Sequence, residues 1–204
     1  MQGERDDEEL LQAWRDGERA AGNLLLRRHF PAIFRFFASK VDCPEDLAQR
    51  TFQACVESRD RIEGRVRPYL YGVARNQLLM FFRANGRYQK RFSPQEHSVA
   101  ASLASPSQLV ADHEDQRLLL IALRELPLDL QITIELFYWE DLSVAEVAAI
   151  TGVPAGTAKS RLHRARTNLK QALEQAAHDE AALEHSMRSL HGWASNVRKA
   201  HGRK

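Results

Sequence analysis

Apolar residues recur every three to four positions over Glu8 to Asp16 and over Asn23 to Lys40, the period at which one face of an α-helix is buried. Pro31 falls inside the second stretch and is expected to interrupt or bend it. A third helix is predicted to begin after Asp42 or Cys43, because Pro44 suits a first helical position and Glu45 and Asp46 favour the positive end of the helix dipole; it runs to about Ser58. Arg59 to Arg67, with Gly64 inside it, reads as a loop, and Pro68 opens a fourth helix that fades near Gly86.

The helical period then stops. Ser93 to Gln108, SPQEHSVAASLASPSQ, is rich in Ser, Ala and Pro and reads as a linker. The period resumes near Asp112 with LLLIALREL, is punctuated by Pro127, and continues through Gln131 to Trp139. Ser143 opens SVAE, a capping box in which the Ser side chain and Glu146 satisfy exposed backbone donors reciprocally. Gly152 ends that helix and Pro154 to Thr157 starts the next. No segment carries a strand pattern and none repeats at a fixed period. The fold expected is all-α: two small helical domains at residues 1–92 and 112–174, joined by a flexible linker at 93–111. The second domain holds a helix-turn-helix, and an amphipathic extension follows at 175–204.

At 204 residues and 23.3 kDa the chain is too short for a large multi-domain enzyme. Its longest apolar stretches, such as Leu118 to Leu123, fall far short of the ~20 residues a bilayer requires, and the acidic N-terminus has no basic-then-apolar leader. A cytoplasmic protein without membrane insertion is expected. Cys43 and Cys55 cannot by themselves form a zinc site.

The net charge of +2 conceals strong blocking. Arg65 to Gln95 carries seven bases and no acid, and Thr157 to Lys170 carries five and no acid. Residues 1–20 hold seven acids against three bases, and 112–146 hold nine against two. Two separate basic segments in a nearly neutral chain imply two contacts with a polyanion.

In LSVAEVAAITGVPAGTAKSRLHRAR, small residues Ala145 and Ala148 allow a second helix to cross closely, and Gly152 supplies a permissive turn. Along that second helix Ala158, Leu162, Ala165, Leu169 and Leu173 form one buried stripe, so Lys159, Arg161, Arg164 and Arg166 project mostly elsewhere. Such a helix can lie in a major groove. The bland alternative is a solvated helical hairpin with incidental bases. In RPYLYGVARNQLLMFFRANGRYQKR the expected buried face is Leu70, Val73, Ala74, Leu78 and Phe81, while Arg75, Arg83, Arg87 and Arg91 share another. Tyr69, Tyr71 and Tyr88 sit among those bases, the composition needed to hold phosphates and stack on an unpaired base. A charged face beside buried tyrosines is the alternative there.

Taken in order, PEDLAQRTF, RPYLYGVARNQLLMFFR and ELPLDLQITIELFYWEDLSVAEVAAITGVPAGTAKSRLHRARTNL resemble the extracytoplasmic-function sigma factors of bacterial RNA polymerase, over about residues 8 to 174. The resemblance implies a non-catalytic subunit that directs core polymerase to promoter DNA, contacting the clamp of the beta-prime subunit and the beta flap. The clamp-binding helix would be Pro44 to Ser58, with Asp46, Gln49 and Gln53 outward and Leu47, Thr51, Ala54 and Cys55 inward. The element that opens the minus-10 sequence would be Arg59 to Arg91, including Arg75, Asn76, Arg83, Arg87 and Arg91. The minus-35 reader would be Thr157 to Arg166, including Thr157, Lys159, Ser160, Arg161, Arg164 and Arg166. Arg50 stands where the family usually has an acid, and Val56 and Tyr69 where Trp is common. An anti-sigma partner is left open by the sequence.

No cofactor or metal is expected. The extension holds His178, His185, His191 and His201, whose spacing does not place ring nitrogens on one helical face. Its apolar series Leu183, Met187, Leu190, Ala194 and Val197 is a seam that needs a surface. One expectation is that it holds the two domains compactly together. A rival function is an autonomous helix-turn-helix repressor, dimerised through that seam to match two half-sites.

Overall fold

The computed structural model describes residues 5–86 and 114–176. Its helices are α1 (Asp7–Arg15), α2 (Arg19–Ala38), α3 (Pro44–Glu57), α4 (Val66–Ala84), α5 (Glu114–Arg124), α6 (Leu128–Tyr138), α7 (Val144–Thr151) and α8 (Ala155–Ala176), with a 3-10 turn at Arg59–Arg61. No strand occurs among the described residues. Those of the linker, the histidines and the apolar seam of the extension lie outside them, as do Tyr88, Arg87 and Arg91.

Three boundaries differ from the sequence expectation, each for a local reason. The second helix starts at Arg19, well before Asn23, because Ala21 and Gly22 are themselves packed against α1, and Pro31 lies within the helix without ending it. The fourth helix starts at Val66, whose side chain is buried, and places Pro68 in its first turn. A missing N–H costs nothing there, since first-turn donors have no intrahelical acceptor. The sixth starts at Leu128, not Gln131, because the Pro127 carbonyl already accepts from Leu130 and Gln131 N–H at 2.9 and 3.0 Å.

The first domain packs Leu10 and Trp14 of α1, Leu25, Ile33 and Phe37 of α2, Leu47 and Cys55 of α3, and Leu70, Ala74 and Leu78 of α4 into one core. The buried face of α4 is rotated from that expected: Tyr71, Leu79 and Phe82 are buried, while Val73 and Phe81 are half-buried. In the second domain Leu119 and Leu123 of α5 meet Leu130 and Ile134 of α6 and Ala165, Leu169 and Leu173 of α8.

Helix α6 is apolar on nearly every side, the pattern of a helix covered all round. Its Leu130 and Ile134 face α5 and α8. Leu128, Ile132 and Leu136 instead join Val147 and Ile150 of α7 and the core of the first domain. The two domains are therefore docked on each other through α6 and α7.

Candidate polymerase and nucleic-acid interface

The helix-turn-helix is set by its caps. Ser143 Oγ accepts from the Glu146 N–H at 3.2 Å and the Glu146 carboxylate accepts from the Ser143 N–H at 2.8 Å. Burial pushes the Glu146 carboxyl up, but these bonds and neighbouring Arg65 outweigh it and hold it below the usual range. At Gly152 the chain turns through φ +68°, a left-handed conformation that suits glycine, and α8 follows. The stripe Ala158, Leu162, Ala165, Leu169 and Leu173 is buried throughout.

Opposite that stripe, Thr157, Lys159, Ser160, Arg164 and Arg166 are exposed. Arg161 departs from the group: it is half-buried, with Nε 3.3 Å from Asp129 at the start of α6. The Arg166 guanidinium lies 5.4 Å from the centre of the Tyr138 ring. His163, absent from the sequence-based set, is exposed beside Ser160 and Arg164. Its helical position gave the signal, one turn beyond Ser160, but a count of Lys and Arg passes over histidine.

On α3, Asp46, Gln49 and Gln53 are exposed, and Leu47, Thr51 and Cys55 are buried together with Ala48; Ala54 is half-buried. Burial alone pushes the Cys55 thiol up to about 11. Next to this polar row lies an apolar one that the sequence reading missed. Phe30 of α2 is 46% exposed and stacks on Phe34 and Phe52 with ring centres 5.9 and 5.8 Å apart, and Val56 is 42% exposed. Phenylalanines at helical spacing read as core; only the packing shows which ring faces outward.

The loop between α3 and α4 is held from α1. Arg15 donates to the carbonyl of Arg59 at 3.2 Å and to that of Ile62, while Ile62 and Val66 are buried as plugs at either end of the exposed Glu63, Gly64 and Arg65. On α4, Asn76 and Arg83 are exposed and Arg75 is half-buried. They line a groove of about 530 Å³ with Leu79 and Met80, and Thr151 and Gly152 of the helix-turn-helix form its other wall. Tyr71 corrects an expectation. It is only 1% exposed and packs edge-on against Phe36 with ring centres 5.6 Å apart, so it cannot stack on a base. Burial, reinforced by the Glu140 carboxylate, pushes its hydroxyl well above the ordinary tyrosine range.

A capped helix-turn-helix with a base-bearing outer face, packed on a second helical domain that carries Arg75 and Arg83 on one helix, is the arrangement of a DNA-binding protein. Comparison with known proteins narrows the class. Residues 25–88 match the family model for sigma-70 region 2, and residues 116–169 match that for sigma-70 region 4. The chain is 31% identical over 168 residues to the RNA polymerase sigma factor CarQ of Myxococcus xanthus, a match covering 80% of this chain and 95% of that one. It is 26% identical over 181 residues to the extracytoplasmic-function sigma-E factor of Haemophilus influenzae, covering 82% and 95%. Among solved structures it is similar to the sigma factor RpoE in complex with the anti-sigma factor NepR from Bartonella quintana. That match has a TM-score of 0.59 and 29% identity, and covers 74% of this chain and 93% of that one.

The chain belongs to the extracytoplasmic-function sigma factors of RNA polymerase. Its partners are core polymerase and promoter DNA, and it directs promoter-specific transcription. No helix among the described residues is long and apolar enough to cross a membrane.

Proposed function

We propose that the two domains divide this task, residues 1–92 binding the polymerase clamp and the minus-10 element, and 112–174 reading the minus-35 element and meeting the beta flap. The observation that carries the division is α8, where one stripe is wholly buried and Lys159, Ser160 and Arg164 stand on the other side. Such a helix is anchored and can present its outer residues to base edges and phosphates. Thr157, His163 and Arg166 extend this face. Arg161 contributes at its edge, since Asp129 already engages it.

For clamp binding the proposal rests on Asp46, Gln49 and Gln53 as polar contacts, and on Phe30 and Val56 as the apolar part of the same patch. A polymerase contact needs both, because a buried apolar centre supplies affinity while charged groups set orientation and rate. At the minus-10 element Arg75, Asn76 and Arg83 would act, with Arg87 and Arg91 beyond the described residues. The protein performs no catalysis in this reading, acts in the cytoplasm where polymerase is, and needs no cofactor. The complex formed by the Bartonella neighbour with NepR supports an anti-sigma factor as a further class of partner.

Run-off transcription with core polymerase tests the reading. Asp46→Lys with Gln49→Ala and Gln53→Ala should weaken capture of core enzyme while circular dichroism stays unchanged. Promoter-dependent transcripts should disappear with it. Undiminished capture would refute the assigned face of α3, and a shift of promoter duplex by the protein alone, without core enzyme, would favour the repressor reading.

A further inference from the structure

Helix α4 carries an apolar side chain where its outer face is otherwise polar. Asn76, Met80 and Arg83 follow one another at spacings of four and three, so they stand in one row along the helix, and all three are exposed. Met80 is 60% accessible, more than any other large apolar residue among those described. It cannot turn inward, because Leu78, Leu79 and Phe82 already fill the buried side of the same two turns. One turn before Asn76 the row meets Gly72, where nothing lies within 4 Å of an added Cβ. The helix backbone is bare there, and a second molecule can come close to it.

We propose that Met80 reads the 5-methyl group of a thymine in the promoter, as a specificity-determining residue beside Asn76 and Arg83. Resting on the assignment of α4 to the minus-10 element, this contact adds a base identity to it. Arg83 supplies the charge that a phosphate needs, and an Asn side chain offers a paired donor and acceptor to adenine. Neither senses the methyl group that marks thymine among the bases. An apolar side chain does, because contact withdraws both its own surface and the methyl group from water. A thioether on an unbranched stem is polarisable and has three rotatable bonds, so it settles against a methyl group without demanding one fixed approach. Asn76 and Met80 are one turn apart, about 6 Å along the helix axis. That distance spans at most about two base-pair steps of ~3.4 Å.

Packing does not account for the residue. Met80 lines the groove whose other wall is Thr151 and Gly152, yet it stays 60% accessible with that wall in place. Truncation to Ala therefore removes little buried area, and Ala is the better helix former. A charged side chain at this position would attract or repel phosphates whatever the sequence. Methionine adds no such background, so what it contributes depends on the base it meets.

Thymine-to-uracil scanning tests the contact, because uracil lacks only the 5-methyl group. The probe is a promoter recovered by holoenzyme, core polymerase with this chain, from duplexes randomised across the minus-10 element. With each thymine replaced in turn on either strand, wild-type holoenzyme should bind about fourfold more weakly at one of them, the loss of one buried methyl group. That thymine should lie within about two base pairs of the position at which Asn76→Ala relaxes sequence preference. Met80→Ala should bind the thymine and uracil promoters equally there, and Met80→Leu should restore the difference, with circular dichroism unchanged in both. A uracil penalty identical in wild type and Met80→Ala at every thymine would overturn the inference. If Asn76→Ala and Arg83→Ala still weaken binding in that case, α4 keeps its place at the minus-10 element and only the role of Met80 falls. If those two variants bind as wild type does, the assignment of α4 falls and the role of Met80 with it.

Discussion

Gly22→Ala is expected to destabilise the protein, although Gly to Ala inside a helix ordinarily stabilises by about 0.5–1 kcal/mol. A Cβ at Gly22 would lie 2.5 Å from Trp14 Nε1 and 2.6 Å from Cδ1 and Cε2. Three atoms of one rigid ring are in the way, and Trp14 is buried in the core, so the indole cannot swing aside as a flexible side chain would. Overpacking of this kind costs about 1–3 kcal/mol, and the propensity gain is small so near the start of α2. A net loss of about 1–2 kcal/mol follows, read as a lower urea midpoint at an unchanged slope. Gly72→Ala is the matched control. That glycine is also helical, in α4, and nothing lies within 4 Å of its added Cβ. It should gain about 0.5–1 kcal/mol. If both substitutions move the midpoint in the same direction, the wedge of Trp14 over Gly22 does not hold α1 in place.

Other measurements probe different parts of the fold. Burial would raise the Asp7 carboxyl, but His29 at 2.6 Å and Arg28 at 2.8 Å hold it down to about 2 from an ordinary 3.8. Its stabilisation is complete above the ordinary value and is lost as pH falls towards 2. Asp7→Asn should therefore cost about 1–2 kcal/mol at neutral pH, after allowing for its partial exposure, and little at pH 2. Ser143→Ala removes one half of the capping box and should lower stability by about 1 kcal/mol, with weaker minus-35 binding as the secondary effect. Of the two thiols, Cys43 should react with iodoacetamide in the native protein. Cys55, buried and raised to about 11, should react only on unfolding, and equal rates would contradict its burial.

Most helices and the helix-turn-helix were legible because local rules and tertiary packing agree there. The capping box at Ser143, the glycine at 152 and the stripe on α8 each had one physical reading, and the structure has it. The α4 face was less legible. Tyr71 and Phe82 turn inward where Val73 and Phe81 were expected, a rotation that period alone cannot resolve when nearly every neighbour is apolar. The candidate residues on α3 and α8 other than Arg161 are exposed polar positions, as their spacing implied, while the exposed Phe30 and His163 escaped a search built on charge. The docking of the domains could not be read at all. Lys40, Glu135, Arg67 and Glu140 look like ordinary surface charges along the sequence, and the pairs Lys40–Glu135 and Arg67–Glu140 join positions 95 and 73 apart.

On the proposed reading that the loop between α3 and α4 belongs to the minus-10 element, the grip of Arg15 on the 3-10 turn bears on how fast a melted strand would be captured. With Ile62 and Val66 plugged into the core and the carbonyls of Arg59 and Ile62 tied to α1, only Glu63, Gly64 and Arg65 are left to settle on arrival of DNA. Fixing a residue's backbone costs about 1–2 kcal/mol, so most of that entropy has been lost before the encounter, during folding. Transient base-pair opening lasts only briefly, and a loop that had to find its shape first would miss most such events. A pre-shaped loop turns each encounter into a test of sequence alone.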